Sequence, residues 1–278
     1  MNYKEEKVKV VVACHKKDPN IRSTEMYFPL QVGKKLHADL DLGIPGDNTG
    51  ENISDKNASY CELTAMYWAW KNLQSEDYLG LAHYRRYFDV DESTIRRELK
   101  KGNTLISKEY VSDVSNLVKL ASFIGLEDTY ILLDTLLDLY PEMKSSVIDY
   151  FCNSNKYTVF NMLIAHREVY NEYCRFLFPL LEKVESRVKP SGYTRQKRNI
   201  GYMGEALLGL WMSHNKLSVT ALSTTSDKKN NPYKLKIRNL IRNLTFKMNN
   251  LHRAKKIDLY DSVVVGLKND GIFLPNLQ

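Results

Sequence analysis

The amino-acid sequence predicts an α/β protein with a mostly parallel sheet flanked by helices. Two apolar runs, Val8–Cys14 and residues 78–82, have the composition of strands that are buried on both faces, which is typical of parallel sheets. Helical patterns lie between such runs, and strands that alternate with helices favour this layered architecture. The 278 residues are 43% hydrophobic and 26% charged, so one chain of this length can bury a sizeable core.

A polar loop and a helix follow the first strand. The loop at residues 39–57 is rich in Gly, Asp, Asn and Ser, and loops of this length are often functional. Ser59 and Glu62 have the spacing of a capping box, which predicts the start of a helix with Glu62 as part of its cap. The apolar stripe of this helix comprises Leu63, Met66, Tyr67, Trp70 and Leu73.

The remaining elements are predicted in order along the second half of the chain. They are helices at 116–140 and 142–151, a strand at 157–165, a long helix at 167–188 disturbed at Pro179, and a helix at 200–213. No internal repeat or low-complexity linker interrupts them. We therefore predict one main domain over residues 1–225 and a basic helical extension over residues 226–278.

Positive charge is concentrated near the C-terminus. Residues 228–256 contain ten Lys or Arg and no Asp or Glu, and removing them from the net charge of +7 leaves −3 for the rest of the chain. Apolar residues recur in this segment at helical spacing, and Lys234, Arg238 and Arg242 recur every four residues on another face. Such a helix can lie on an anionic membrane surface, or it can pack its apolar stripe on the body of the protein. Nucleic-acid binding is disfavoured, because the rest of the chain has no basic face with interleaved aromatic residues.

The sequence also predicts a cytoplasmic location. No stretch approaches the ~18 apolar residues of a membrane-spanning helix, and the charged start MNYKEEKVKVVVAC excludes a signal peptide. The four cysteines lack metal-ligand spacing, which indicates reduced thiols used for packing. We expect a cytoplasmic protein that residues 228–256 can bring to the inner face of the cell membrane.

Charged and aromatic side chains follow the two predicted strands. The residues concerned are His15, Lys16, His83, Tyr84, Arg85 and Arg86. Ligands of open α/β sheets bind beyond the carboxyl ends of the strands, and strand alternation predicts His83 and Arg85 on one side, with Tyr84 and Arg86 on the other. Two adjacent arginines near a core need an anion, and a diphosphate is a natural partner because guanidinium groups bind phosphate bidentately. Pairing with Asp or Glu of neighbouring loops is the alternative.

Two further features are candidates for chemistry. The loop at 46–57, GDNTGENISDKN, is dense in carboxylates, amides and hydroxyls, which suits a sugar or ribose; a solvated surface loop is the alternative. Glu205 lies in a mostly apolar helix, where a carboxylate can serve as a general base. Its alternative is the favourable placement of an acid near a helix N-terminus.

Metal-binding motifs are sparse. Asp89 and Asp91 form a D-x-D pair, as do Asp39 and Asp41, and such pairs can hold Mg²⁺ or Mn²⁺ against a diphosphate. The pattern is short and common, so we assign no metal site and keep Asp89 and Asp91 as the alternative. P-loop, GxGxxG, HExxH and GxSxG motifs are absent, which disfavours P-loop NTPases, dinucleotide enzymes, zinc proteases and serine hydrolases.

Three blocks of the sequence resemble a bacterial domain-of-unknown-function family. Its members are usually labelled capsular or exopolysaccharide biosynthesis glycosyltransferases. The blocks are DNTGENISDKNASYCELTAMYWAWKN with YLGLAHYRRYF, then NMLIAHREVYNEYCRFLFPLLEKVE, and finally RNIGYMGEALLGLW. The resemblance covers residues 7–222 in order, with a shorter, more divergent stretch at 100–130, and the basic tail lies outside it.

The resemblance implies a GT-A-like, Rossmann-like fold and a nucleotide-sugar-dependent glycosyltransferase of capsule, exopolysaccharide or O-antigen synthesis. Some members of the family are galactofuranosyltransferases. For this chain it implies inverting transfer of a hexose, with galactofuranose from UDP-galactofuranose as the candidate, to a saccharide or lipid-linked acceptor. A non-catalytic scaffold that binds nucleotide or carbohydrate at the membrane is the alternative, and an enzyme of another phosphorylated sugar is a third interpretation.

The same resemblance implies roles for individual residues. Glu205 corresponds to the base that deprotonates the acceptor hydroxyl, and the cations at 83–86 can neutralise the diphosphate so that a divalent metal is dispensable. The residues expected to bind the nucleotide-sugar are His15, Lys16, Asp47, Asn52, Ser54, Lys56, Asn57, His83, Tyr84, Arg85, Arg86, Asn161, Met162, Arg198, Gly201 and Tyr202. Mg²⁺ or Mn²⁺ is the cofactor that the alternative at Asp89 and Asp91 would require.

Overall fold

The apolar runs form paired strands in the computed structural model, which describes residues 6–229, 231–252 and 261–273. The chain divides into two units whose segments alternate along the sequence. Unit 1 comprises Met1–Lys108, Val159–Phe178 and Leu217–Lys229; unit 2 comprises Glu109–Thr158, Pro179–Lys216 and Asn230–Gln278. The division expected between residues 225 and 226 stays a prediction.

Strands form a main sheet in unit 1 and a small one in unit 2. In chain order they are β1 (Val8–Cys14), β2 (Tyr27–Gln31), β3 (Tyr78–His83), β4 (Thr104–Ser107), β5 (Tyr110–Val111), β6 (Lys156–Tyr157), β7 (Leu163–His166) and β8 (Val219–Leu222). The main sheet has the order β2-β1-β3-β7-β4-β8, and β5 pairs with β6 in unit 2. Within the described residues, β7 alone runs against the other strands of the main sheet. The prediction of a mostly parallel sheet is confirmed.

Helices lie between many of these strands along the chain. In chain order they are α1 (Asn57–Tyr60), α2 (Leu63–Asn72), α3 (Glu92–Lys100), α4 (Asn116–Ile124), α5 (Leu126–Leu139), α6 (Lys144–Val147), α7 (Arg167–Glu185), α8 (Asn199–His214), α9 (Pro232–His252) and α10 (Asp261–Asn269). In unit 1, α2 packs against β1 and β3, and α3 packs against β4. The predicted helix at 116–140 is interrupted at Gly125, whose φ of 97° suits glycine and separates α4 from α5.

The core of unit 1 explains why VKVVVAC forms a strand. Val10 and Val12 of β1 pack in one cluster with Ile95 and Leu99 of α3, while Val11 is fully buried on the opposite face of the strand. A strand that is buried on both faces must be apolar at every position, so a β-branched run is expected here.

The strand predicted at 157–165 is wrong in its extent. It is two elements, because β6 ends at Tyr157 in unit 2 and β7 begins at Leu163 in unit 1. Phe160 and Asn161, which lie between them, have φ values of 72° and 51°. Left-handed backbone at two successive non-glycine residues forms a turn that an apolar run does not reveal.

The predicted capping box is also wrong. Ser59 lies inside α1, and Cys61 follows with a φ of 53°. Glu62 occupies the N-cap position of α2, but its side chain accepts no hydrogen bond from the first turn of that helix. The Glu62 carboxylate is therefore available for contacts from elsewhere in the chain.

Candidate functional site

Three neighbouring parallel strands of unit 1 end at one edge of the sheet. The register pairs Cys14 of β1 with Gln31 of β2, and Ala13 with His83 of β3, so the residues that follow each strand meet at this edge. His15 comes after β1, and its Nε2 lies 3.4 Å from the Tyr84 hydroxyl, with the two rings edge to face at 5.1 Å. We define the strand-end cluster as His15, His83, Tyr84, Arg85 and Arg86.

The residues after β3 form a tight turn. The backbone N–H of His83 donates to the Arg86 carbonyl at 3.1 Å, and the Arg86 N–H donates to the His83 carbonyl at 2.9 Å. The expected alternation of Tyr84 and Arg85 across a strand is therefore wrong, because these two residues occupy the turn. Strand periodicity ends at His83.

The two arginines of the turn have different surroundings. Arg85 is half exposed, and its Nε lies 3.6 Å from an Asp18 carboxylate oxygen. The hydrogen bond that the Asn20 N–H donates, together with the Arg85 charge, holds the pKa of Asp18 below its usual value. The Arg86 guanidinium lies 4.3 Å from the Phe160 ring centroid, and no described carboxylate forms an ion pair with it. The expected alternative of carboxylate pairing thus applies to Arg85.

A buried carboxylate supports the turn before β7. Glu62 accepts a hydrogen bond of 2.8 Å from Asn161 Nδ2, and the same Glu62 oxygen lies 3.9 Å from His83 Nε2. His83 Nε2 donates to the Phe160 carbonyl at 2.7 Å. These contacts hold the left-handed pair 160–161 at the end of β3. Glu62 was expected to cap α2, and its partner Asn161 is 99 residues away, where no local pattern reveals it.

Asp47 organises the polar loop. Its buried carboxylate accepts hydrogen bonds from the backbone N–H groups of Gly33 (2.9 Å) and Lys34 (3.1 Å), from Thr64 Oγ1 (2.8 Å) and from Ser54 Oγ. Four donors engage both carboxylate oxygens, which leaves Asp47 and Ser54 holding the loop together. This structural role differs from the ligand contact expected for them.

The other candidate residues of the loop are also engaged locally. Asn52 Nδ2 donates to the Gly50 carbonyl at 2.9 Å, and Asn57 Nδ2 donates to the Cys61 carbonyl at 2.7 Å. The Lys56 ammonium lies 5.4 Å from the centroid of a tyrosine ring, Tyr60. Much of the polarity of the loop therefore serves its own fold, at the end of β2.

Of the remaining candidates in unit 1, Lys16 is exposed and Met162 is fully buried. Met162 packs in the core with Ile164, Val10 and Ile95, so its side chain does not line a ligand site as expected. The resemblance placed Met162 on a strand beside the donor, but the strand begins one residue later and Met162 points into the core.

Glu205 lies in the middle of α8 in unit 2. The first turn of α8 contains no acidic residue, so the alternative of an acid placed at the helix N-terminus does not hold. Glu205 is half buried. Burial raises the pKa of Tyr157 well above its usual value, and the negative charge of Glu205 raises it further.

A second carboxylate in unit 2, Glu109, was not among the candidates. Burial raises the pKa of the Glu109 carboxyl, while the charge of Lys156 lowers it. Burial also raises the pKa of Tyr150, with contributions from the charges of both Glu109 and Glu205. No motif around Glu109 indicated that this carboxyl is partly buried.

The other candidates of unit 2 lie at the start of α8. The Tyr202 ring stacks on Phe123 at 5.1 Å between centroids, and the Arg198 guanidinium lies 5.6 Å from the Tyr202 ring. Gly201 is buried, and the Lys119 ammonium lies 4.6 Å from the Phe123 ring. These contacts join the start of α8 to α4 within unit 2.

The D-x-D pair has a structural role at Asp91. Asp91 caps α3 by accepting hydrogen bonds from the Thr94 N–H at 2.6 Å and from Ser93 Oγ at 2.8 Å. These bonds hold the pKa of Asp91 below its usual value. In the part of the chain that the structure describes, no group of three or more His, Cys, Asp or Glu is arranged to hold a metal ion.

Comparison with known proteins is consistent with this architecture. No curated protein matches the chain. A solved structure described as the apo form of the bifunctional glycosyltransferase WbbM matches with a TM-score of 0.73 and 26% sequence identity. The match covers 79% of this chain and 45% of that one, so the chain spans less than half of the protein it resembles. The fold is therefore one that a glycosyltransferase uses. The model of the domain of unknown function DUF4422 matches residues 9–216, and the chain belongs to that family.

Proposed function

We propose that the chain transfers a sugar from a nucleotide-sugar to an acceptor hydroxyl, with the donor bound at the strand-end edge of unit 1. The observation that carries the proposal is the convergence of His15, Arg85, Arg86 and the polar loop beyond the carboxyl ends of β1, β3 and β2. Ligands of open α/β sheets bind at this edge. The likeness to the bifunctional glycosyltransferase WbbM supports the class of reaction.

The donor is a UDP-sugar in this proposal, with UDP-galactofuranose as the first candidate. The acceptor is a saccharide or a lipid-linked oligosaccharide of a bacterial surface polysaccharide. Arg85 is half exposed, and Arg86 keeps donors that no described carboxylate occupies, so both can approach a diphosphate. Cations that meet the departing diphosphate stabilise the charge that develops on it.

The proposed transfer inverts the anomeric centre. The acceptor oxygen attacks the anomeric carbon, the bond to the diphosphate breaks, and UDP leaves with the electron pair. Glu205 takes the proton of the acceptor hydroxyl, a form of help that contributes about 10²–10⁴-fold. Glu205 is half buried, so its carboxylate keeps partial access to solvent, which supports this role.

Calorimetry with UDP and uridine tests the diphosphate site. Arg85→Ala and Arg86→Ala should each weaken UDP binding about tenfold or more, because hydrogen bonds to charged groups are lost, and leave uridine binding unchanged. Arg97→Ala, which removes an exposed arginine of α3, is the matched control and should bind both ligands normally. Equal losses for UDP and uridine would contradict the assignment. Binding that requires Mn²⁺ would instead move the diphosphate contact to a metal at Asp89 and Asp91.

Turnover of the two unit 2 carboxylate variants tests the base. Glu205→Gln should lower transfer by about 10²-fold or more while UDP binding stays intact. Glu109→Gln is the matched control, because it removes another partly buried carboxylate of unit 2, and it should retain most of the turnover. A reversal of the two results would make Glu109 the base. If the wild type binds a UDP-sugar but transfers nothing, and both variants bind it equally well, the scaffold alternative would be favoured.

A further inference from the structure

An apolar stripe on α9 lies open to solvent. Six large side chains of this helix are between 52% and 76% exposed, and they recur at intervals of three or four residues on one face. They are Tyr233, Ile237, Leu240, Ile241, Leu244 and Met248. Contiguous apolar surface of this kind marks an interaction site. The alternative that the stripe packs on the body of the protein does not hold for the described part of α9.

The opposite face of α9 attaches the helix to unit 2. Phe246 is buried, and Asn155 Nδ2 donates to Asn243 Oδ1 at 2.8 Å. The Arg242 guanidinium donates to the Val111 carbonyl at 3.2 Å and lies over the Tyr110 ring. The helix is therefore held in place by one face while it presents the other.

Cations border the stripe on both sides. At about 100° per residue, Lys234 and Arg238 fall along one border of the stripe, and Lys236 and Lys247 fall along the other. The described side chains of α9 include no Asp or Glu. The predicted basic segment continues to residue 256, and the side chains of residues 228–230 and 250–260 lie outside the described part.

We propose that α9 docks on an anionic lipid bilayer, lying parallel to its surface. The stripe would enter the boundary between headgroups and acyl chains, and the bordering Lys and Arg would meet lipid phosphates. No described helix is long and apolar enough to cross a bilayer. A second copy of the chain is a poorer occupant, because two α9 stripes face to face would oppose cations with cations.

Co-sedimentation of the full chain with vesicles tests the proposal independently of transfer activity. Vesicles of phosphatidylcholine mixed with phosphatidylglycerol should bind the protein, and phosphatidylcholine alone should bind it far less. The stripe variant Ile237→Gln/Ile241→Gln/Met248→Gln should lower partitioning about tenfold or more, since three apolar side chains no longer leave water. These side chains are exposed in the free protein, so the variant should fold normally.

Charge variants separate the two contributions. Lys234→Gln/Arg238→Gln/Lys247→Gln should lower binding to the anionic vesicles roughly a hundredfold, and added salt should mimic the effect. Each variant has a matched control that replaces three exposed residues elsewhere in the chain. The control for the stripe is Leu36→Gln/Val118→Gln/Leu139→Gln. The control for the charges is Lys100→Gln/Lys144→Gln/Lys183→Gln. Equal binding to both vesicle types, or losses in the controls as large as in the α9 variants, would overturn the proposal. So would a dimer that the stripe variant dissociates, without any vesicle binding.

Discussion

At the scale of single residues, several polar side chains are used to build backbone geometry. Glu62 and His83 hold the left-handed turn at Phe160 and Asn161, and Asp47 gathers four donors into one loop. A buried carboxylate is stable only when donors surround it, so each of these sites requires partners from several segments. The backbone around the strand-end cluster is consequently held by hydrogen bonds from distant segments.

Gly209 of α8 lies in close contact with two side chains of unit 2. A Cβ at this position would clash with the Tyr150 hydroxyl and with Thr158 Oγ1. Gly209→Ala should therefore lower the free energy of unfolding by about 1–3 kcal/mol, although alanine is the better helix former. Urea denaturation measures the change.

Two controls accompany this variant. Tyr150→Phe removes one of the clashing atoms and should restore part of the stability of Gly209→Ala. Gly192→Ala adds a Cβ where no atom lies within 4 Å, and it should leave the stability nearly unchanged. Equal stability of Gly209→Ala and the wild type would contradict the packing of Tyr150 against α8.

At the scale of elements, the loop after β2 is held in shape by its own hydrogen bonds. It begins at Gly33, whose φ of 66° suits glycine, and the Gln31 side chain bonds to Leu40 and Leu42 across it. The backbone of Asp47 returns to pair with Gln31. The composition of the loop predicted a ligand site, whereas its hydrogen bonds show that much of this polarity stabilises the loop.

Asp47→Ala should destabilise unit 1 by about 3 kcal/mol or more, because buried donors lose their acceptor at a cost of about 1–3 kcal/mol each. Denaturant unfolding measures the effect. Asp41→Ala, an exposed carboxylate of the same segment, is the matched control and should cost little. If the Asp47→Ala variant has native stability but does not bind UDP, Asp47 would instead be a ligand-binding residue, as the sequence predicted.

At the scale of the whole molecule, charge is distributed unevenly. The basic segment at 228–256 has ten Lys or Arg and no Asp or Glu, so its net charge exceeds the +7 of the whole chain. The described part of α9 carries some of these cations beside an apolar stripe. Unit 2 also contains the half-buried Glu109, whose pKa is raised by burial. We therefore expect membrane binding to depend on the salt concentration and stability to depend on pH.

The pH dependence of stability follows from Glu109. A pKa that is raised in the folded state contributes stability at pH values below the unfolded-state pKa, and this contribution is lost as the pH rises through the folded-state value. Glu109→Gln is neutral at every pH, so it should be more stable than the wild type at neutral pH and equally stable in acid. Thermal unfolding of both proteins from acid to neutral pH measures this difference in stability. Glu168→Gln, at an exposed carboxylate, is the control, and a constant difference at all pH values would contradict the role of ionisation.

The sequence by itself determined what depends on neighbouring residues. The β-branched run of β1, the apolar stripe of α2 and the cations after β3 were all visible as local patterns, because periodicity and burial act over a few residues. The short strands β2, β4 and β8 were missed, since runs of four or five residues carry little periodic signal. The family resemblance predicted a glycosyltransferase-like α/β fold, and the structural similarity to WbbM supports that fold.

Only the tertiary structure decided which of these residues meet. Glu62 and Asn161 are 99 residues apart in the chain, and their hydrogen bond depends on the antiparallel pairing of β7 with β3. The exposure of the α9 stripe was equally undetermined, because an amphipathic pattern specifies a face but not what covers it. Contacts between distant segments arise from the packing of the complete chain, and no local pattern encodes them.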